Sequence, residues 1–591
     1  MLFSSLSEYY ERLEGVSSRL SMIDIMTEMF SKASKEELCN IVYMTQGVLG
    51  PPFKGIETGI AEKFTEAAIG IATGFSKEHV YAEYKKAGDM GSVAEKLVSN
   101  TKLRRMENRK LEVNDVFNTM KSIAGISGEG SQDKKIRHLA HLIASSTPLE
   151  ARYIVRLALG TLRLGAGDAT ILEALSKLAT GSREFKGELE NAYNTCSDLG
   201  RIADVLAKHG ADGIKDIRVE LFSPIRPALA ERLPTAEEIL KKMGDACSVE
   251  SKYDGMRTQV HMSKKGKKVV IFSRNLETVT DMFPDIAEAA LKDIDAEEAI
   301  FEGEAIAYDE IANEFHAFQE TIQRKRKHGV KEKSKELPLK LFAFDLLYVD
   351  GEQYTNKEYE KRRKKLESII KKGEVIRLSD NKVVTKPSEL EHYFDEAIGK
   401  GLEGIVAKDL HAPYVAGARK FSWIKMKRSY KSELSDTVDL VVIGYYLGRG
   451  TRAEFQFGGL LGAVYNEDRD MFETITRIGT GFTEQQMEMF RDLLGKIKIK
   501  NKPVRVDSLV EPDFWVEPKY IVTVRADEIT RSPMHTCGRG KNEGGDEVGY
   551  ALRFPRIVSD GIRKDKSVND TTTTSEIVEM FKQQRKTRIE K

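Results

Sequence analysis

Apolar positions along residues 1–218 recur at i, i+3 and i+4. The stretches "SEYYERLEGVSSRLSMIDIMTEMFSKA" and "ATILEALSKLATGS" show this spacing, which predicts amphipathic helices. Gly/Ser breaks punctuate them at 125–135 ("GISGEGSQDKK") and 162–170 ("LRLGAGDAT"). The pattern changes after "LFSPIRPALAERLP" (221–234), a Pro-punctuated linker. From about 247 to 430, β-type runs dominate: "KKVVIFSRN", "AIFEGEAIAY", "LKLFAFDLLYV", "EGIVAKD" and "FSWIKMKRSY". A helix separates two of them, with Ser388 and Glu391 read as its capping box and Gly401 as its C′ residue. From about 431 to 566 the strands shorten and the turns become glycine-rich, which suits a small β-barrel. The tail, "TTTTSEIVEMFKQQRKTRIEK", reads as one amphipathic helix capped by Thr573 and Glu576.

Length supports several domains: 591 residues correspond to three or four at about 150 each. No apolar run approaches ~18 residues, so no membrane span is predicted, and the start lacks the pattern of a signal peptide. Both point to a cytoplasmic protein. The four cysteines, Cys39, Cys196, Cys247 and Cys537, form no C-x-x-C pair, which argues against a disulfide framework or structural zinc. A net charge of +1 neither supports nor excludes nucleic acid, since one basic face suffices for binding.

Within "SVESKYDGMRTQVH" (248–261), a strand-like run holds Lys252, Asp254 and Gly255, residues that strand interiors disfavour. A lysine amine is a nucleophile only when unprotonated, so its pKa of ~10.4 must fall through burial or nearby cations. Gly255 would allow close backbone approach and Arg257 could grip a phosphate. The bland alternative is a strand ending in a turn with Lys252 solvated, and K-x-D-G alone does not exclude it. "FAFDLLYV", "WIKMK" and "FEGEAIAY" each also read singly as ordinary strands.

The ordered set is specific. "KYDGMR", "FSRN", "FEGEAIAYD", "FAFDLLYVDG", "LEGIVAKD", "WIKMK" and "LRFPRIVSDGIRKDK" follow one another along the chain. This series resembles the covalent nucleotidyltransferases, most closely the ATP-dependent DNA ligases of archaeal and eukaryotic replicative type. The resemblance covers almost the whole chain. It implies an all-α DNA-binding domain at 1–218, an α+β nucleotidyltransferase (adenylation) domain at 219–430, and a β-barrel OB-fold domain with a C-terminal helix at 431–591.

The same resemblance implies roles. Lys252 attacks the α-phosphorus of ATP, forming lysyl–AMP and releasing pyrophosphate. Glu250 accepts the adenine amino group, Arg257 and Arg274 hold ribose or phosphate, and Glu302 binds the ribose hydroxyls. Phe342 stacks on adenine, worth on the order of 1–3 kcal/mol. Glu403 coordinates Mg²⁺ (Mn²⁺ is an alternative) with Glu302 or Glu304. Arg419, Lys425 and Lys427 neutralise the triphosphate. Strand alternation puts Lys425 and Lys427 on one face, where two cations would depress the pKa of Lys252. Arg553, Arg556, Arg563 and Lys566 orient the leaving pyrophosphate, which calls for domain closure and reopening. AMP then passes to the 5′-phosphate at a nick, and the 3′-hydroxyl displaces it.

The implied partner is nicked double-stranded DNA, in replication, repair and recombination, with the enzyme acting as a nucleoid-associated monomer. Lys134, Lys135, Arg137 and Arg163 flank the Gly/Ser breaks where helix N-termini can grip phosphates. The family's sliding-clamp contact has no clean Gln-plus-paired-aromatic motif at 103–117. RNA ligases and capping guanylyltransferases share K-x-D-G, but the long helical domain argues against them. An NAD-dependent ligase would bring a zinc-binding cysteine cluster, which is missing here. A non-catalytic DNA-binding scaffold would not need Lys252, Glu403, Lys425 and Lys427 all intact.

Overall fold

The computed structural model describes all residues except 102, 104–109, 163, 245, 310–313, 316–337, 372, 401, 428–436, 449–455, 480, 527, 542–546, 554, 559–560 and 590–591. The chain divides into two compact units. One comprises Met1–Tyr193, Asp198–Asp216 and Thr437–Lys591; the other comprises Asn194–Ser197 and Ile217–Asp436. The first therefore contains both the helical region and the sheet-rich C-terminal region.

The helices of the first unit follow the apolar spacing. Arg19–Ser31 buries Met22, Ile23, Met26, Met29 and Phe30, and Ser18 accepts the Ser21 N–H at its start. It packs against Asp168–Thr180, where Arg19 pairs with Glu173 at 2.9 Å. Pro148–Ala158 starts with Pro at its first position and a reciprocal cap: Thr147 N–H donates to Glu150 at 2.7 Å, and Glu150 N–H donates to Thr147 Oγ1 at 3.3 Å. The break at 125–135 separates Val113–Gly125 from Ser131–Ala144, as the Gly/Ser content predicts. In the C-terminal region, Thr437–Tyr446 lies between Gly459–Asn466 and Phe514–Arg525 in a seven-stranded sheet. Its core includes Val441, Ile443, Leu461, Ala463 and Phe472. The tail forms the helix Thr574–Ile589, and its cap is the predicted one, with Thr573 N–H to Glu576 at 3.0 Å and Glu576 N–H to Thr573 Oγ1 at 3.3 Å.

The second unit is built on two sheets. One has five strands, in the order Leu229–Arg232, Arg419–Lys427, Gly404–Asp409, Cys247–Lys252 and Asn381–Val384. Helices Ala236–Met243 and Pro387–Gly399 pack against it over Val249, Ile405, Ala407, Ile424 and Met426. The other sheet runs Lys268–Ser273, Met256–Ser263, Glu298–Asp309, Leu339–Val349 and Glu352–Gln353, with Ile376–Leu378 added on Leu339–Val349. Its core gathers Val260, Phe301, Leu341 and Leu346 with helix residues Ile286 and Leu366. One capping assignment is corrected. The helix Pro387–Gly399 begins two residues earlier than Ser388 and Glu391 imply, and Glu389 accepts the Thr385 and Lys386 N–H groups at 2.9 and 3.3 Å. A carboxylate two residues nearer the start reaches the free donors. Gly401 lies outside the described residues.

Among the described residues no helix is long and apolar enough to cross a membrane. All four cysteines are free.

Candidate active site

Lys252 ends a strand of the five-stranded sheet, and Met256 begins a strand of the other. Tyr253, Asp254 and Gly255 carry the chain between sheets, which accounts for non-strand residues in a strand-like run. A Cβ on Gly255 would lie 2.5 Å from the Ala305 carbonyl oxygen, so the crossing tolerates no side chain there. Period 2 puts Glu250 and Lys252 on one face. Across the sheet, Lys252 lies opposite Gly404, and Gly404 opposite Lys427. Gly404 has φ +154°, and a Cβ there would meet the Met426 carbonyl oxygen at 2.1 Å.

This register brings three charges together. Glu403 N–H donates to the Lys252 carbonyl at 3.1 Å, and its carboxylate pairs with both Lys252 Nζ and Lys427 Nζ. About a quarter of each side chain is exposed: 25% for Lys252, 24% for Glu403 and 27% for Lys427. Burial pushes the Lys252 amine down, but Glu403, Glu304 and Asp254 push it up by more, so it sits above the ordinary lysine value. The expected depression by Lys425 and Lys427 is thus corrected: Lys427 directs its charge to the same Glu403. Burial raises Glu403, and Lys252 and Lys427 outweigh it, holding the carboxyl well below its usual range. Glu304 is pushed up to about 7, chiefly by burial, against the pull of Lys252 and Arg257.

Glu302 and Glu304 share a strand face but have different surroundings. Glu302 is 1% exposed and accepts from Arg257 Nη2 at 2.8 Å, Tyr414 Oη at 2.8 Å and Gln259 Nε2 at 3.4 Å. Arg257 also donates to the Ala228 carbonyl at 2.6 Å, and Tyr414 Oη accepts Ala228 N–H at 2.8 Å. Glu302 and Arg257 therefore tie down the chain at 225–228. Of these two carboxylates, Glu304 is the one whose charge acts on Lys252, while Glu302 is engaged by Arg257, Tyr414 and Gln259.

Further along the Lys252 strand, Glu250 is 2% exposed and pairs with Lys408 Nζ at 2.9 Å. Tyr359 Oη also donates to it. Phe342 stacks on Tyr253, with ring centroids 4.3 Å apart and planes 15° apart. One face of Phe342 is thus already covered. Tyr253, Tyr359, Lys408 and Tyr414 escaped the sequence reading. The only signal for Tyr253 was its place inside K-x-D-G, and Tyr359 and Tyr414 lie 100 or more residues from the carboxylates they bind.

The other sequence-predicted residues disperse. Arg274 lies in the turn after Lys268–Ser273, and Lys425 pairs across the sheet with Val406. Arg419 opens the same strand as Lys425 and Lys427. In the first unit, Arg563 and Lys566 converge on Asp439. Arg553 and Arg556 do not join them, but line a separate concavity with Arg477, Arg531 and His535. Lys134 and Arg137 are exposed on Ser131–Ala144. Lys135 on the same helix instead donates to the Thr58 carbonyl at 2.6 Å. Arg163 lies outside the described residues, as do 102 and 104–109 of the stretch read for a clamp contact. Among the described residues no group of three or more His, Cys, Asp or Glu side chains could hold a metal ion.

Three family models match successive parts of the chain. "DNA ligase N terminus" matches residues 2–176, "ATP dependent DNA ligase domain" 227–427 and "ATP dependent DNA ligase C terminal region" 453–566. A "Probable DNA ligase" of Dictyoglomus thermophilum is 47% identical over 590 residues, covering 100% of this chain and 99% of its own. A "DNA ligase" of Sulfolobus acidocaldarius is 41% identical, covering 100% and 99%, and one of Hyperthermus butylicus is 44% identical, covering 99% and 98%. The ordered motifs, the lysine between two sheets and this likeness along the full length agree: the chain belongs to the ATP-dependent DNA ligases.

Proposed function

We propose that the enzyme seals nicks in duplex DNA through a lysyl–AMP intermediate on Lys252. The observation that carries this reading is the placement of Lys252 at the crossing between two sheets, charge-paired with Glu403 and flanked by Lys427. Lys252 leaves Glu403 and loses a proton before its nitrogen lone pair is available. That nitrogen forms a bond to the α-phosphorus of ATP while the bond to pyrophosphate breaks. Glu250 accepts the adenine amino group, and adenine stacks on the face of Phe342 away from Tyr253. Lys427, with Lys425 and Arg419 on its strand and with Arg274, offsets the triphosphate charge. Arg563 and Lys566 of the barrel meet the departing pyrophosphate, in an OB-fold domain that closes on the cleft and reopens for DNA. Arg553 and Arg556 are the weaker candidates for that task, since they line another concavity. AMP then passes to the 5′-phosphate of the nick, and the 3′-hydroxyl displaces it.

A divalent cation fits the residues present, since Mg²⁺ is commonly bound through one or two carboxylates plus substrate phosphates. Glu403 and Glu304 would hold Mg²⁺ or Mn²⁺ there, supplying positive charge against the phosphates. Helix Ser131–Ala144, with Lys134 and Arg137 exposed, grips the DNA backbone, and Arg163 is proposed to assist. We assign replication, repair and recombination as the settings and a monomer as the working form.

The test is incubation with α-labelled ATP and Mg²⁺, followed by a chase with nicked DNA. Label should attach to Lys252 and leave as AMP when DNA is sealed. Sealing by an enzyme labelled at another residue would overturn the reading.

A further inference from the structure

Glu250 is held by more than one partner. Its Oε1 accepts from Tyr359 Oη and from Lys408 Nζ, the latter at 2.9 Å. Its Oε2 accepts from Ser379 Oγ at 3.3 Å. Arg363 donates to Ser379 Oγ at 2.9 Å and to the Ser379 carbonyl at 2.8 Å, which directs the serine's own proton toward Glu250. Lys408 is in turn fixed by the Phe344 carbonyl at 2.9 Å and lies 4.4 Å from the Trp423 ring centroid. The donors come from a helix, a strand and a loop, so the carboxylate cannot turn without breaking contacts to all three.

We propose that Tyr359 is a specificity-determining residue, which together with Lys408 and Ser379 fixes Glu250 as an oriented acceptor and so selects a 6-amino over a 6-oxo purine nucleotide. This rests on the reading above that Glu250 meets the base. A carboxylate offers about four lone-pair positions, and three are already donated to. What remains can take only another donor. A 6-amino group supplies one, whereas a 6-oxo group turns its own lone pair toward a buried carboxylate that has no room to rotate. Sites built around a hydrogen bond reject the mismatched analogue far better than shape alone does. Burial, and then Glu250 itself, hold the Tyr359 hydroxyl well above the ordinary tyrosine value, so it stays a donor.

The experiment measures the rate constant for adduct formation on Lys252 with α-labelled ATP and with α-labelled inosine triphosphate. The full-length enzyme is compared with Tyr359→Phe and Ser379→Ala. The phenylalanine keeps the ring beside Lys408 and removes only the hydroxyl. In Tyr359→Phe the ATP-to-ITP ratio should fall on the order of 10-fold, and in Ser379→Ala it should fall roughly 3-fold. Equal losses for both nucleotides would mark the network as structural and overturn the assignment, as would unchanged ratios. Should Tyr359→Phe fail to fold, Ser379→Ala decides by the same criterion. If the wild type labels at Lys252 but the ratios do not move, this assignment alone fails. If the wild type forms no adduct there, both readings fail.

Discussion

Two clusters in this enzyme share one composition, a single carboxylate holding two cations, yet they differ in how they are closed. In the second unit, Glu403 holds Lys252 and Lys427 at the crossing between two sheets, and each member keeps about a quarter of its side chain exposed. In the sheet-rich C-terminal region, Asp439 holds Arg563 and Lys566, but its side chain is only 10% exposed, and Thr523 Oγ1 also donates to it at 2.7 Å. Arg563 is bonded a second time by Asp565, with Nε–Oδ1 at 2.7 Å. The comparison teaches that charge count does not distinguish an open cluster from a closed one. What distinguishes them is the number of second partners. The Lys252 amine faces Glu403 from a strand end and can leave it, whereas Arg563 must give up two carboxylates of its own region.

Breaking the first cluster should have the largest effect. Lys252→Ala should lower label transfer from ATP by more than ~10³-fold, because it removes the proposed nucleophile. Nicked-DNA binding, read by gel shift, should persist; loss of both would indicate misfolding. Breaking the second should act on stability. Asp439→Asn leaves Arg563 and Lys566 without their buried counter-charge, and denaturant unfolding of the full chain should register a loss of about 2–3 kcal/mol, since part of the pair is solvent-screened. A loss below about 0.5 kcal/mol would mean that the C-terminal cluster is as loosely closed as the one at Lys252.

Glu304 sharpens the contrast through pH. Its folded-state pKa of about 7 lies above the unfolded carboxyl value, so its contribution to stability is full below the unfolded value and is lost as pH rises through about 7. Glu304→Gln removes this term. Relative to wild type, the variant should therefore gain roughly 2 kcal/mol between pH 5 and pH 8 in urea unfolding. Parallel stability curves would place the Glu304 titration elsewhere. The smallest effects concern the helical region. Lys134→Ala and Arg137→Ala should each weaken nicked-DNA binding only a few-fold and lower the salt slope by about 1. Lys135→Met should instead show in thermal stability, because that lysine anchors the Thr58 carbonyl.

Much of the fold was legible because burial imposes a period. Helix Arg19–Ser31 buries the apolar positions that its spacing marks, and the Thr573–Glu576 cap forms as the residue types suggest. Legibility failed where two residues of one type share a face. Alternation places Glu302 and Glu304 on the same side of their strand, and nothing local says which of them faces Lys252. Tyr414, 112 residues from Glu302, donates to that carboxylate, and Glu304 is the one whose charge reaches Lys252. The helix after Pro387 failed for a nearer reason: Ser388 and Glu389 are both plausible capping types, and only the backbone donors at 385 and 386 choose.

The order and spacing of the motifs, read without coordinates, carried the resemblance to the family and singled out Lys252 as the candidate nucleophile. Local chemistry supports that candidate: a glycine where backbones approach, a lysine three residues before it, and alternating cations on a strand. Only the tertiary structure decided the electrostatics of that lysine. An ionic environment is a sum over neighbours brought from distant parts of the chain, and here Glu403, Glu304 and Asp254 outweigh burial.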